Sequence, residues 1–216
     1  MDFVLFHLFS ILEVIFMITV VFVLFGIPMK PFMAQILFAS FILPQISYYM
    51  RFQLELSSFV LIAYEVSLIV FLIVMFKIKW VHSLLLGVAM LLYLSFVQLA
   101  TMLSAISSGL FEFTDFQPLT VFAYFVQGIF ALISWLIIIL LKKFKFHFQF
   151  VRYQPPQRRT VTYGKKAIGL VAGMFVCNWV IYSFVLQSIY TMSLFFVVLT
   201  LEFAILIAAS LKREAV

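Results

Sequence analysis

Three carboxylates lie inside long apolar runs: Glu13 in "FSILEVIFM", Glu65 in "LIAYEVSLI" and Glu202 in "VVLTLEFAIL". An ionisable side chain surrounded by hydrocarbon is costly. It either handles a proton or a cation, or serves as a protonated hydrogen-bonding link between helices. For Glu13 and Glu202 both roles stay open, and both residues fall near the middle of their runs. Glu65 falls nearer one end of its run, where the linking role is the better expectation. Asn178, beside Cys177 in another apolar run, is a further polar group able to partner a carboxyl.

Covalent and metal chemistry find little support. A cysteine nucleophile needs a histidine within hydrogen-bond reach. Cys177 lies about 16 Å into its run, counted from Lys166 at about 1.5 Å per residue, whereas His82 sits at the edge of another. His7 and His147 are placed at opposite membrane sides, so no ligand set for a metal assembles. No glycine-rich phosphate loop is present. The sequence therefore predicts no catalytic residues, no metal and no cofactor.

The elements carrying these groups follow from composition. Hydrophobic residues make up 66% of the 216, charged residues 10%, and the mean hydropathy is +1.23. A soluble domain has about 45–50% apolar and about 25% charged residues. Lipid is the expected solvent, and an all-α polytopic helical bundle in the plasma membrane is the expected fold. A span needs about 20 apolar residues. Seven runs qualify, at 3–27, 32–50, 58–76, 82–108, 118–141, 167–187 and 190–211. The second is the weakest, because Pro44 and Gln45 interrupt it. The start, "MDFVLF", has no basic flank and no small-residue cleavage site, so the first run is expected to be retained rather than removed as a signal.

Charge orients the chain. With the N-terminus outside, every one of the 14 Lys and Arg residues except Arg51 falls on inner segments. Positive charge beside spans stays in the cytoplasm, which predicts N-out and C-in. Residues 142–166 then form a large cytoplasmic loop within a seven-span domain over 1–211, followed by a short tail at 212–216. In that loop "KFKFHFQF" alternates cations with phenylalanine, as suits a segment lying at the lipid interface. This excludes nucleic acid as the expected partner.

Two further patterns concern packing or ligands. Gln98, Thr101, Ser104 and Ser108 share about a third of the fourth helix's circumference toward its outer end. Close helix packing is the leading reading of that row, and a pocket open to the outside is the other. Gly169 and Gly173 form a G-x-x-x-G pair, expected to seat helices within the chain, with a homodimer contact as the alternative.

"FKIKW" at 76–80, "LLKK" at 140–143 and "LKRE" at 211–214, with a short outer N-terminus and six or seven spans, give a layout that resembles one family. It is the sensor half of peptide-pheromone histidine kinases of the accessory-gene-regulator and competence type. The resemblance implies an extracellular peptide as partner and a two-component, quorum-sensing role. It also implies transmission through the last helix to a kinase region, which this stretch does not include. By that resemblance the peptide would meet an outer rim of Arg51, Glu55, Glu112 and Asp115, with Gln98 and Thr101 beneath. The alternatives are a small carrier or channel component using Glu13 and Glu202, and a membrane immunity or scaffold protein.

Overall fold

A computed structural model of the chain describes residues 2–56, 59–112, 119–145, 197, 198 and 201. Among the described residues there are helices and no strand. Five α-helices follow in order: α1, Asp2–Leu24; α2, Met33–Tyr48; α3, Val60–Val74; α4, Trp80–Ser107; and α5, Val121–Lys143. Apart from residues 142–145, 197, 198 and 201, the expected loop and the last two spans lie outside the described residues.

Helix ends are set by local chemistry. After α1, Gly26 takes φ +64, and the Ile27 and Gly26 N–H groups donate to the carbonyls of Phe22 and Val23 at 2.8 and 3.1 Å. This glycine-terminated motif satisfies the last carbonyls of the helix, and it packs buried Ile27 onto Phe22. The same device ends α4: Gly109 has φ +72, and Leu110 donates to Ala105 at 3.2 Å. At the start of α5, the Thr120 side chain accepts from the Ala123 N–H at 3.3 Å.

Residue pairs show the helices running alternately up and down. Phe22, Phe32 and Phe76 join the end of α1 to the starts and ends of its neighbours, with ring centroids 5.3–6.2 Å apart. At the opposite end Phe6 meets Tyr48, and Phe111 meets Phe122. Neighbours in sequence pack together, and α5 closes the ring against α1. Helix α1 also touches α4, so these two form the centre and α5 presents most of its surface outward. Outward residues such as Val70, Val121, Leu132 and Trp135 are large and apolar, as a lipid-facing surface requires.

Four of the helical segments are long and apolar enough to cross a membrane: Phe3–Leu24, Lys30–Gln53, Trp80–Ser107 and Val121–Lys143. The second run, the weakest in sequence, is helical through its interruption: Pro44 lies buried inside α2. The helix continues beyond Tyr48 as a π-helical turn, Tyr49–Gln53, whose ring of bonds ends with Leu54 N–H on Tyr49 O. The third span, expected over 58–76, is shorter than read: α3 has 15 residues.

The fold sorts charge by end. Lys30, Lys77, Lys79, Lys142, Lys143 and Lys145 lie where α1 ends and α2 begins. Arg51, Glu55 and Glu112 lie at the end where α1 begins.

Candidate functional site

Glu13 is in the middle of α1 and is 8% exposed. Its two carboxylate oxygens meet different helices. Gln98 of α4 donates its Nε2–H to Oε1, and Gln127 of α5 donates to Oε2 at 3.1 Å. Gln127 Nε2 also lies 3.5 Å from the hydroxyl of Ser10, one turn before Glu13 on the same face of α1. One carboxyl, two carboxamides and one hydroxyl thus converge from three helices. The remaining elements add charge at longer range. The field of Arg51, in the π-helical turn, reaches Glu13, and Glu13 is in turn coupled to the phenol of Tyr64 on α3.

This cluster redistributes the polar residues read from sequence. Gln98 was expected beside Thr101, Ser104 and Ser108 in one row; it turns inward to Glu13 instead. The other three line a groove between α4 and α5 with a volume of about 370 Å³. Its walls include Ala100, Ala105, Phe125, Ile129 and Ile133. The small residues on α4 leave the space beside α5 unfilled at this level, so the row opens a groove rather than a tight seam. Two of the three hydroxyls are turned to the helix's own carbonyls: Thr101 donates to Val97 at 2.8 Å and Ser108 to Ala105 at 3.0 Å. The groove is therefore effectively apolar.

At the end above it, Arg51 lies half-buried in the π-helical turn. Glu55 and Glu112 are exposed in the connections that follow α2 and α4, Glu55 with φ +54. They share an end of the bundle but come from different segments. Asp115, Asn178, Glu202, Gly169 and Gly173 lie outside the described residues. Glu65 is enclosed on α3 at 2% exposure, and its Oε1 has no hydrogen-bond partner among the described residues.

Sequence reading missed Gln127 and Ser10. A carboxamide within the apolar run of α5 was a usable signal, since such a group is retained in a span only where it finds a partner. His7 was read only as lying near the outer membrane face. It is buried among Phe3, Phe6 and Tyr48, with ring centroids 4.0–5.4 Å away, and its Nδ1–H donates to the Phe3 carbonyl at 2.8 Å. Among the described residues no three His, Cys, Asp or Glu side chains converge as metal ligands.

The chain matches no family model, no curated protein and no solved structure.

Proposed function

We propose that this chain is a plasma-membrane sensor module of seven spans, N-terminus outside, that binds an extracellular hydrophobic, cationic peptide at the α4–α5 groove. The observation that carries this reading is the groove itself. At about 370 Å³ it is large enough for one or two bulky side chains, and it lies below the end bearing Glu55 and Glu112. Small-molecule and side-chain pockets are mostly apolar, with a few polar groups at the mouth. Carboxylates at that end of the bundle favour a cationic ligand through complementarity and faster encounter. The charge sorting of the bundle supports the orientation, with the lysine-bearing end in the cytoplasm.

Transmission follows from where the groove lies. A ligand shifts an equilibrium only by its differential affinity for two packings. An apolar side chain seated between Ser104 and Ile129 favours the packing in which the groove is open over one in which α4 and α5 close on it. The quorum-sensing role suggested by the layout is part of the same proposal, with the last helix relaying the change.

The test is saturable binding of secreted hydrophobic, cationic peptides to the chain in nanodiscs. Ser104 is exposed in the groove, so Ser104→Phe fills it without disturbing the core. Binding to the wild type with at least about tenfold loss in Ser104→Phe, about 1.4 kcal/mol, supports the reading. Equal binding to both sinks it.

A further inference from the structure

We propose that Ser10, Glu13, Gln98 and Gln127 form an intramembrane proton-binding site, in which the Glu13 carboxyl takes up and releases one proton between α1, α4 and α5. This goes beyond the peptide reading and does not require it.

The case rests on the kind of partner Glu13 has. Both its oxygens are met by neutral carboxamides, Gln98 and Gln127, rather than by a guanidinium or an ammonium. Dipoles hold an anion in place without cancelling its charge, and an uncompensated buried charge is expensive. A fixed cation in contact would commit the group to its ionised form. A carboxamide makes no such commitment, because it carries two N–H donors at one position and a carbonyl acceptor at the other.

Both oxygens of the carboxyl can therefore be bonded in either protonation state. The ionised carboxyl accepts from both glutamines. When a proton from water joins one oxygen, that oxygen becomes an O–H donor. The glutamine facing it then rotates its amide by about 180° to present its carbonyl, or the new O–H turns to the Ser10 hydroxyl. The carboxyl itself keeps a partner at each oxygen in either state. Of the charged and titratable groups on the packed elements, Arg51 acts from beyond α2 and Tyr64 from α3. At this level α4 and α5 contribute Gln98 and Gln127, with Tyr124 stacked on Phe9 about one turn away. His7 lies further toward the α1 start, bonded to Phe3. The α4–α5 groove ends at Ala100 and Thr101, within about one turn of Gln98, and is lined by none of the four cluster residues.

The experiment is pH-difference infrared spectroscopy of the full chain in nanodiscs, without peptide, between about pH 5 and about pH 9. The expected result is a protonated-carboxyl C=O band gained on acidification in the wild type, lost in Glu13→Gln and retained in Glu65→Gln. Gln127→Leu should keep the band but move it to higher frequency, because the carboxyl loses a hydrogen bond. This second variant reports on Glu13 without replacing it, should Glu13→Gln fail to fold. The proposal is overturned by a band that survives Glu13→Gln undiminished, or by its absence from the wild type. It is equally overturned by an unmoved band in Gln127→Leu, or by a spectral change that follows sodium at constant pH. Because peptide is absent from every sample, failure here leaves the binding result of the preceding section untouched.

Discussion

The hydroxyls of Tyr93 on α4 and Ser134 on α5 lie 2.6 Å apart in the buried seam between the two helices. Ser134 spends its own hydrogen on the Phe130 carbonyl at 2.7 Å, so the Tyr93 hydroxyl is the donor between them. The seam is thus fastened below the groove, near the level where Phe130 also packs on the Tyr93 ring at 5.5 Å between centroids.

That direction of donation predicts an asymmetry. Tyr93→Phe leaves Ser134 still bonded to Phe130 and should cost about 0.5 kcal/mol, as membrane hydrogen bonds commonly do. Ser134→Ala strands a buried phenol and should cost about 1–2 kcal/mol. Unfolding in mixed micelles, followed for both variants, checks the order. Equal losses would mean that Ser134 is the donor or that the seam is wet.

Two glycines should respond in opposite senses to alanine. A Cβ on Gly87 of α4 would sit 2.8 Å from Ile69 Cγ1 of α3, whereas one on Gly128 would sit an ordinary 3.8 Å from Phe9. Gly87→Ala should destabilise by about 1–3 kcal/mol through overpacking. Gly128→Ala should be neutral, or stabilising by up to about 1 kcal/mol from helix propensity. Adding Ile69→Ala to Gly87→Ala should recover part of the loss, a non-additivity readable in a double-mutant cycle.

For the peptide-sensing proposal, neutralising the carboxylates at the groove end of the bundle should act mainly on encounter. Glu55→Gln with Glu112→Gln should lower the association rate of a cationic peptide several-fold at low salt. The difference should fade above about 0.1 M, where the screening length is about 10 Å. Stopped-flow binding across a salt series decides it; parallel curves for variant and wild type count against those carboxylates.

Orientation is testable on intact cells. In a Cys177→Ser background, a cysteine replacing exposed Ser107 should label with a membrane-impermeant maleimide. One replacing exposed Lys79 should label only after lysis. The reverse pattern inverts the topology and removes the extracellular mouth.

Much of the bundle was legible because long apolar runs carry their own signal: α1, α4 and α5 appear close to where hydropathy placed them. Charge placed every described lysine at one end. What stayed hidden depends on contacts between distant segments. Glu13 and Gln127 are 114 residues apart, and helical periodicity assigns each to a face of its own helix without saying which faces meet. Gln98 was put on the right face but given the wrong neighbours for that reason. Pro44 made the second run the weakest to read, because hydropathy does not show that the α2 segment stays continuous through it.

The brevity of α3 reaches beyond the protein. Fifteen residues rise about 22 Å, whereas a hydrocarbon layer is about 30 Å thick, and α3 turns Val66, Val70 and Val74 outward. In the seven-span arrangement proposed above, acyl chains beside that one flank must compress or splay, at a fraction of a kcal/mol per Å. The molecule should therefore gather short-tailed lipids on a single side and settle in thinner zones of the bilayer.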